Sequence, residues 1–265
     1  MKFAVLTIFP EMCQPFFEHG IVRRAIERGK ISASAVDLRD FTSDRHKTTD
    51  DRPYGGGCGM VMKPEPLAAA IRTTKASAPE SRVVLLSPQG RRFNQTMAQE
   101  FATLSGLIFI CGRYEGVDER INQNFVDHEV SIGDYVMTGG ELAAMVVMDA
   151  VVRLIPGTLG GEASAEKESF SNDLLEHGHY TRPPVFEGQA VPEVLLSGHH
   201  GEIENWRLET SLIHTVLKRQ DLLQNRCLSS KEIEILKRWR REIDKLIHGQ
   251  SVCGVGPLSG AQQAR

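Results

Sequence analysis

Three unbroken apolar runs constrain this chain most: Phe3 to Phe9, Val83 to Leu86 and Leu107 to Cys111. Strands with one face in water alternate apolar and polar residues, whereas strands covered on both faces read as continuous hydrophobic stretches. The runs therefore predict a parallel sheet sandwiched between helices. The second and third runs are each followed by a glycine-containing polar turn and then a helical pattern. A shorter strand candidate, Val130 to Ile132, repeats that order a third time before Arg153. The three turns are Ser87-Pro88-Gln89-Gly90, Gly112-Arg113-Tyr114-Glu115-Gly116 and Gly133-Asp134-Tyr135-Val136-Met137-Thr138-Gly139-Gly140. Glycine has no side chain to hold a ligand away from the backbone. The turns are thus expected to line one pocket, largely with main-chain amides and carbonyls.

Helical spacing places Phe93, Met97, Phe101 and Leu104 on one face, and Glu141 to Leu154 reads as a strongly buried helix. Strands alternating with helices give an α/β domain. After Pro156 the texture changes, since Gly157 to Ser171 is rich in Gly, Ala, Ser and Glu. A long connection of that kind reads as a flexible linker with a function. Beyond it, helical patterns cover Glu202 to Val216 and Ser230 to Leu246, with Ser229 or Ser230 as the cap of the second. The expected boundaries are a cofactor-binding domain over 1–158, a linker over 159–173, a helical domain over 174–248 and a disordered tail over 249–265.

Charge excludes little, because the net value is −3. It is uneven: Gly160 to Asn205 carries nine acidic residues against two basic, and Trp206 to Leu246 ten basic against six acidic. That asymmetry hints at separate modules, although a basic helix is most often a solvated face. Five scattered cysteines without a CxxC pair fit reduced thiols in a cytoplasmic protein. No run is long enough to span a membrane.

The glycine-dense Pro53 to Met60 lacks Gly-Lys-Ser/Thr, and no turn reads GxGxxG, so neither a P-loop nor a dinucleotide fingerprint is present. A surface loop and a functional loop remain equally good readings of it. The charged stretch before it, Asp44 to Arg52, is either a salt-bridged loop or a nucleic-acid contact. Arg153 follows a helix, where a cation is favoured by the macrodipole alone. Glu162, Glu166 and Glu168 read most simply as solvated. His177-Gly178-His179 and His199-His200 lack a matched carboxylate or cysteine framework, so no metal site is expected there.

Taken together, these phrases resemble the bacterial tRNA (guanine-N1)-methyltransferases, the TrmD-like enzymes of the SPOUT class. The matching text is Asp44-Arg45-His46 through Gly57, Leu86 to Gly90, Cys111 to Gly116, Ser131 to Tyr135 and Gly139 to Leu142. Downstream it continues in His179 to Pro183, Val194 to Gly198 and Trp206-Arg207. The resemblance covers most of Phe3 to about Leu223. It implies a deep trefoil knot in the sheet domain, a small mainly helical C-terminal domain, and a homodimer with the active site at the subunit interface. It also implies a reaction: methyl transfer from S-adenosyl-L-methionine to N1 of the guanine at tRNA position 37, immediately 3′ of the anticodon.

Carried over residue by residue, the resemblance assigns the cofactor to Leu86, Ser87, Pro88, Gln89, Gly112, Tyr114, Glu115, Ile132, Gly133, Asp134, Tyr135, Val136, Met137, Gly139 and Gly140. RNA contacts fall on His46, Lys47, Asp50, Arg52, Arg113, Glu176, Lys218 and Arg219. The general base falls on Glu168 and the charge-stabilising cation on Arg153. The family has aspartate at the positions of Glu168 and Glu176, so this chain carries one extra methylene at each. The family's dependence on Mg2+ makes Glu115 an indirect contributor, with no dedicated metal cage. Two other readings stay open: a knotted methyltransferase acting on another RNA, and a non-catalytic module that binds RNA or senses the cofactor.

Overall fold

A computed structural model describes residues 1–159, 168–170, 172–224 and 226–249. The expected tail 249–265 lies almost wholly outside them, as does the central part of the expected linker with Glu162 and Glu166. The chain divides into two compact units, Met1–Glu166 and Lys167–Arg265.

The first unit is built on five strands, β1 (Lys2–Thr7), β2 (Ser32–Asp37), β5 (Arg82–Arg92), β6 (Gly106–Cys111) and β7 (His128–Ser131). Their order is β2-β1-β6-β5-β7 and every pairing is parallel. Alternate residues of each strand go to opposite faces. Phe3, Val5, Val84, Leu86, Leu107, Phe109 and Cys111 share one buried cluster, while Ala4, Leu6, Val83, Leu85, Ile108 and Ile110 share the other. The first face is covered by helices α1 (Gln14–Phe17), α2 (Gly20–Glu27), α4 (Gln95–Ala102) and α6 (Glu141–Val152). The second is covered by α3 (Pro64–Ser77) and α5 (Glu119–Phe125). Unbroken apolar strands are the direct result, as the sequence predicts. A small hairpin, β3 (Asp50–Asp51) with β4 (Val61–Met62), carries the loop of Pro53 to Met60 between its strands.

The first turn differs from expectation. Ser87 to Gly90 does not end its strand; β5 runs on to Arg92. Leu86 and Arg91 both oppose Val130, so the residues between them are extruded from the ladder and the strand then resumes. Gly90 permits this, since a Cβ there would sit 2.3 Å from the Val130 amide nitrogen. The turn is thus a wide bulge whose two ends are pinned to β7.

In the second unit, a hairpin of β8 (Val185–Phe186) and β9 (Gln189–Ala190) precedes α7 (Glu193–Leu196), α8 (His200–Lys218), α9 (Asp221–Gln224) and α10 (Ser230–Gly249). Its core is small: Leu174, Leu212 and Ile235, with Leu208, Leu223, Leu236 and Trp239 packed around them. Ser229 is the cap of α10. The Ser229 amide donates to Glu232 Oε2 at 2.7 Å, and the Glu232 amide donates back to Ser229 Oγ at 3.3 Å. This reciprocal pair satisfies two orphan donors of the first turn.

Candidate functional site

The three turns meet. Residues from all of them line one cleft of about 280 Å3 at the carboxyl ends of β5, β6 and β7. Open α/β sheets bind ligands in that position. The turns are stitched to one another through the main chain. The Gly140 amide donates to the Gly112 carbonyl at 3.0 Å, Arg113 and Gly139 form an antiparallel bridge, and the Phe93 amide donates to the Ser131 carbonyl at 2.8 Å. Gly140 lets the start of α6 sit against the end of β6, because a Cβ on it would lie 2.7 Å from Cys111 Cα. The β4 segment closes the second turn from the other side, with the Met62 amide donating to the Gly116 carbonyl at 2.9 Å.

A buried ionic group holds the second and third turns in register. Glu141, the first residue of α6, is 1 % exposed. Its Oε1 accepts from Thr7 Oγ1 at 2.6 Å and from Arg113 Nε at 3.1 Å. Its Oε2 lies 2.9 Å from Arg113 Nη2, close enough for ion pairing although that N–H is poorly aligned for a hydrogen bond. The Arg113 guanidinium also donates to the Thr138 carbonyl at 3.3 Å and lies 4.6 Å from the centre of the Phe9 ring. A carboxylate at a helix N-terminus is favoured by the macrodipole, and the guanidinium offsets its desolvation. Beside them, burial pushes the Cys13 thiol up to about 11, with the Glu141 charge adding to it, and burial raises the Cys111 thiol as well.

A family model described as tRNA (Guanine-1)-methyltransferase TrmD matches residues 1–225. The chain belongs to that family. A tRNA (guanine-N(1)-)-methyltransferase of Desulfatibacillum aliphaticivorans is 57% identical to it over 98% of this chain and 99% of its own length. Proteins of the same name from Carboxydothermus hydrogenoformans and Chloroflexus aggregans are 52% and 54% identical, covering 93% and 90% of this chain and 97% and 95% of their own. This TrmD-family chain is therefore a methyltransferase of the tRNA (guanine-N1) class.

Of the residues expected at the cofactor, Leu86, Ser87, Pro88, Gln89, Gly112, Tyr114, Glu115, Ile132, Gly133, Tyr135, Val136, Met137, Gly139 and Gly140 all line the cleft. Asp134 does not; its carboxylate turns outward to an ion pair with Arg92. Sequence reasoning missed Asn122 and Glu129, which also face the cleft and are joined by a 3.3 Å hydrogen bond. They sit on α5 and β7 outside the glycine turns, where no motif marks them.

Among the residues expected on RNA, Lys47 pairs with Asp40 at 3.0 Å, and Asp44 folds the loop by accepting from the His46 amide at 3.1 Å. Asp50 lies in β3, and Arg52 is exposed just beyond it. Arg113, also assigned to RNA, lines the cleft and is mostly buried against Glu141, at 14 % side-chain exposure.

Arg153 follows α6 in the first unit, and Glu168 belongs to the second. Within that second unit the segment of Glu168 is fastened to the residues after it and to α8. The Glu176 amide donates to Ser169 Oγ and the Phe170 amide to the Leu174 carbonyl, each at 2.9 Å. The Leu175 amide in turn donates to the buried Thr215 of α8 at 2.9 Å. Lys218 and Arg219 stand exposed at the end of α8, the latter forked onto Asp221 at 2.8 and 2.6 Å.

Proposed function

We propose that this chain transfers a methyl group from S-adenosyl-L-methionine to N1 of the guanine at tRNA position 37. The observation that carries the reading is the convergence of three glycine-bearing turns on one cleft in a TrmD-family chain. The cleft suits such a donor: an adenosyl group needs main-chain donors and acceptors at close range, and the glycines leave those groups uncovered. Threading of this turn-rich region into a deep trefoil knot fits the extruded bulge of β5 and the turns stitched beside it. The bound donor supplies an electrophilic methyl on sulfur.

The protein's share is acid–base and electrostatic. N1 of guanine carries a proton at neutral pH, so a base must remove it as the nitrogen attacks the methyl carbon and the carbon–sulfur bond breaks. Glu168 takes that proton. Negative charge then develops on the purine, chiefly at O6, and the guanidinium of Arg153 stabilises it. Extrusion of the guanine from its stack exposes N1 to both groups. His46, Lys47, Asp50, Arg52, Glu176, Lys218 and Arg219 contact the RNA, the cations through phosphates. Arg113 contributes by holding the turns together. Mg2+ enters with the RNA and needs no protein cage, and the cytoplasm is where the substrate resides. No helix among the described residues is long and apolar enough to cross a membrane.

The test is methyl transfer from labelled S-adenosylmethionine to paired tRNA transcripts carrying guanosine or adenosine at position 37. Transfer to the first alone is expected; equal labelling of both, or of neither, removes the reading.

A homodimer belongs to the same reading. Helix α6 is apolar from Leu142 to Met148, yet Leu142 is 55 % exposed and Val146 49 %. These residues are one turn apart on one face. Phe9 and Met12 are exposed beside Arg113, which anchors on the neighbouring Glu141. An apolar patch of this kind marks a surface that a partner covers. Sedimentation of the full chain is expected to give a dimer, and Val146→Lys a monomer at the same micromolar concentration. An unchanged sedimentation coefficient in the variant would show that this face is not the interface.

A further inference from the structure

We infer that Glu176, His177 and His179 form a binding site for a divalent transition metal of the zinc class. In the sequence Glu176 directly precedes His177-Gly178-His179, but the spacing alone does not make a matched metal-binding framework. The fold supplies one: a ligand atom from each of the three residues lies within 4.8 Å of the others. Glu176 Oε1 is 2.9 Å from His179 Nε2, and the two histidine rings are 4.6 Å apart.

The histidine tautomer is set for coordination. His177 Nδ1 lies 3.1 Å from the Gly178 carbonyl, which can only accept, so Nδ1 carries the proton. Its Nε2 then keeps a lone pair for a metal, the arrangement that metal-binding histidines use. The backbone is also fixed in advance, because His214 Nδ1 is 3.1 Å from the Glu176 carbonyl and the Leu175 amide is held by Thr215. Two imidazoles and one carboxylate match catalytic zinc sites that keep a fourth position open. Metal–nitrogen bonds near 2.1 Å place tetrahedral ligands about 3.4 Å apart, so closing the set takes side-chain rotation and release of the His179 Nε2 proton that faces Glu176 Oε1, as ligation of a histidine requires. Nitrogen donors select zinc, cobalt or nickel over magnesium, so this site is distinct from any Mg2+ that accompanies RNA. Glu176 donates its amide to Ser169, next to Glu168. A metal here would brace the segment carrying the proposed base.

The test uses the full-length protein after chelator treatment and does not depend on methyl transfer. Zn2+ is titrated in competition with a chromophoric chelator, and Co2+ is followed by its visible absorption. Wild type is expected to bind one equivalent that His177→Ala and Glu176→Gln bind at least about tenfold more weakly, given that even outer partners of a metal ligand are worth 10- to 100-fold. The exposed thiols Cys58 and Cys227 are common to all three proteins, so the difference isolates this site. Glu176→Gln preserves shape and both histidines, which guards against loss of folding in the alanine variant; circular dichroism checks each. Identical binding by wild type and both variants overturns the inference. So does displacement of Zn2+ by millimolar Mg2+.

Discussion

Replacing Glu168 by glutamine is expected to slow methyl transfer by about 10²–10⁴-fold, the range that a positioned general base contributes. The amide has the shape of the carboxylate and cannot accept the N1 proton. Affinity for S-adenosylmethionine should stay at the wild-type value, because the residues lining the cleft all belong to the first unit and Glu168 to the second. Glu168→Asp is the informative companion. It retracts the carboxylate by one methylene, and catalytic groups tolerate about 0.5 Å of misplacement, so its rate measures how far the segment can adjust. Arg153→Ala should cost about 10²–10³ in kcat, as loss of one donor to a developing oxyanion does. Single-turnover labelling of tRNA, with donor binding measured separately, reads all three. Full activity in Glu168→Gln and in Arg153→Ala would remove the catalytic assignment.

The second large effect is on stability. Glu141→Ala is expected to destabilise the first unit by about 3–5 kcal/mol, the usual result of leaving one member of a buried ion pair alone. Arg113 would then face the Thr138 carbonyl and the Phe9 ring with its charge uncompensated. Thr7 would lose its acceptor as well. Donor binding should weaken in step, since the second and third turns depend on this group for their register. Urea unfolding monitored by circular dichroism checks the first expectation, and titration calorimetry the second. A midpoint within error of wild type would mean that the main-chain bonds between the turns suffice without it.

Much of the first unit was legible because burial on both faces leaves a plain trace in composition. Phe3 to Thr7 and Leu107 to Cys111 alternate between two apolar clusters and so contain almost nothing polar. Strand β2, Ser32–Asp37, escaped notice because it is the edge of the sheet and its residues are small or polar. The three turns announced themselves through glycine, but glycine reports only where backbone comes close. It does not say which flanking side chain turns inward. Hence Asp134, flanked by cleft residues, points out to Arg92, whereas Asn122 and Glu129 reach the cleft from outside any turn. Arg113 reads as a surface cation until its buried carboxylate, 28 residues later, is placed beside it. Glu176 directly precedes the two histidines in the sequence, yet nothing in that spacing says that its carboxylate turns onto His179.

The order in which strands pair also governs how the chain must be made. β1 leaves the ribosome before both of its neighbours, Ser32–Asp37 on one side and Gly106–Cys111 on the other. At about 5–20 residues per second, the hundred residues before β6 take roughly 5–20 s to synthesise. Throughout that interval one edge of β1, all but free of charge, stays unpaired. Such distant pairing is slow to form even in a finished chain. Nascent protein is thus most exposed to wrong association while it is being translated, and a helper that shields Phe3 to Ile8 at that stage would improve yield without altering the folded molecule.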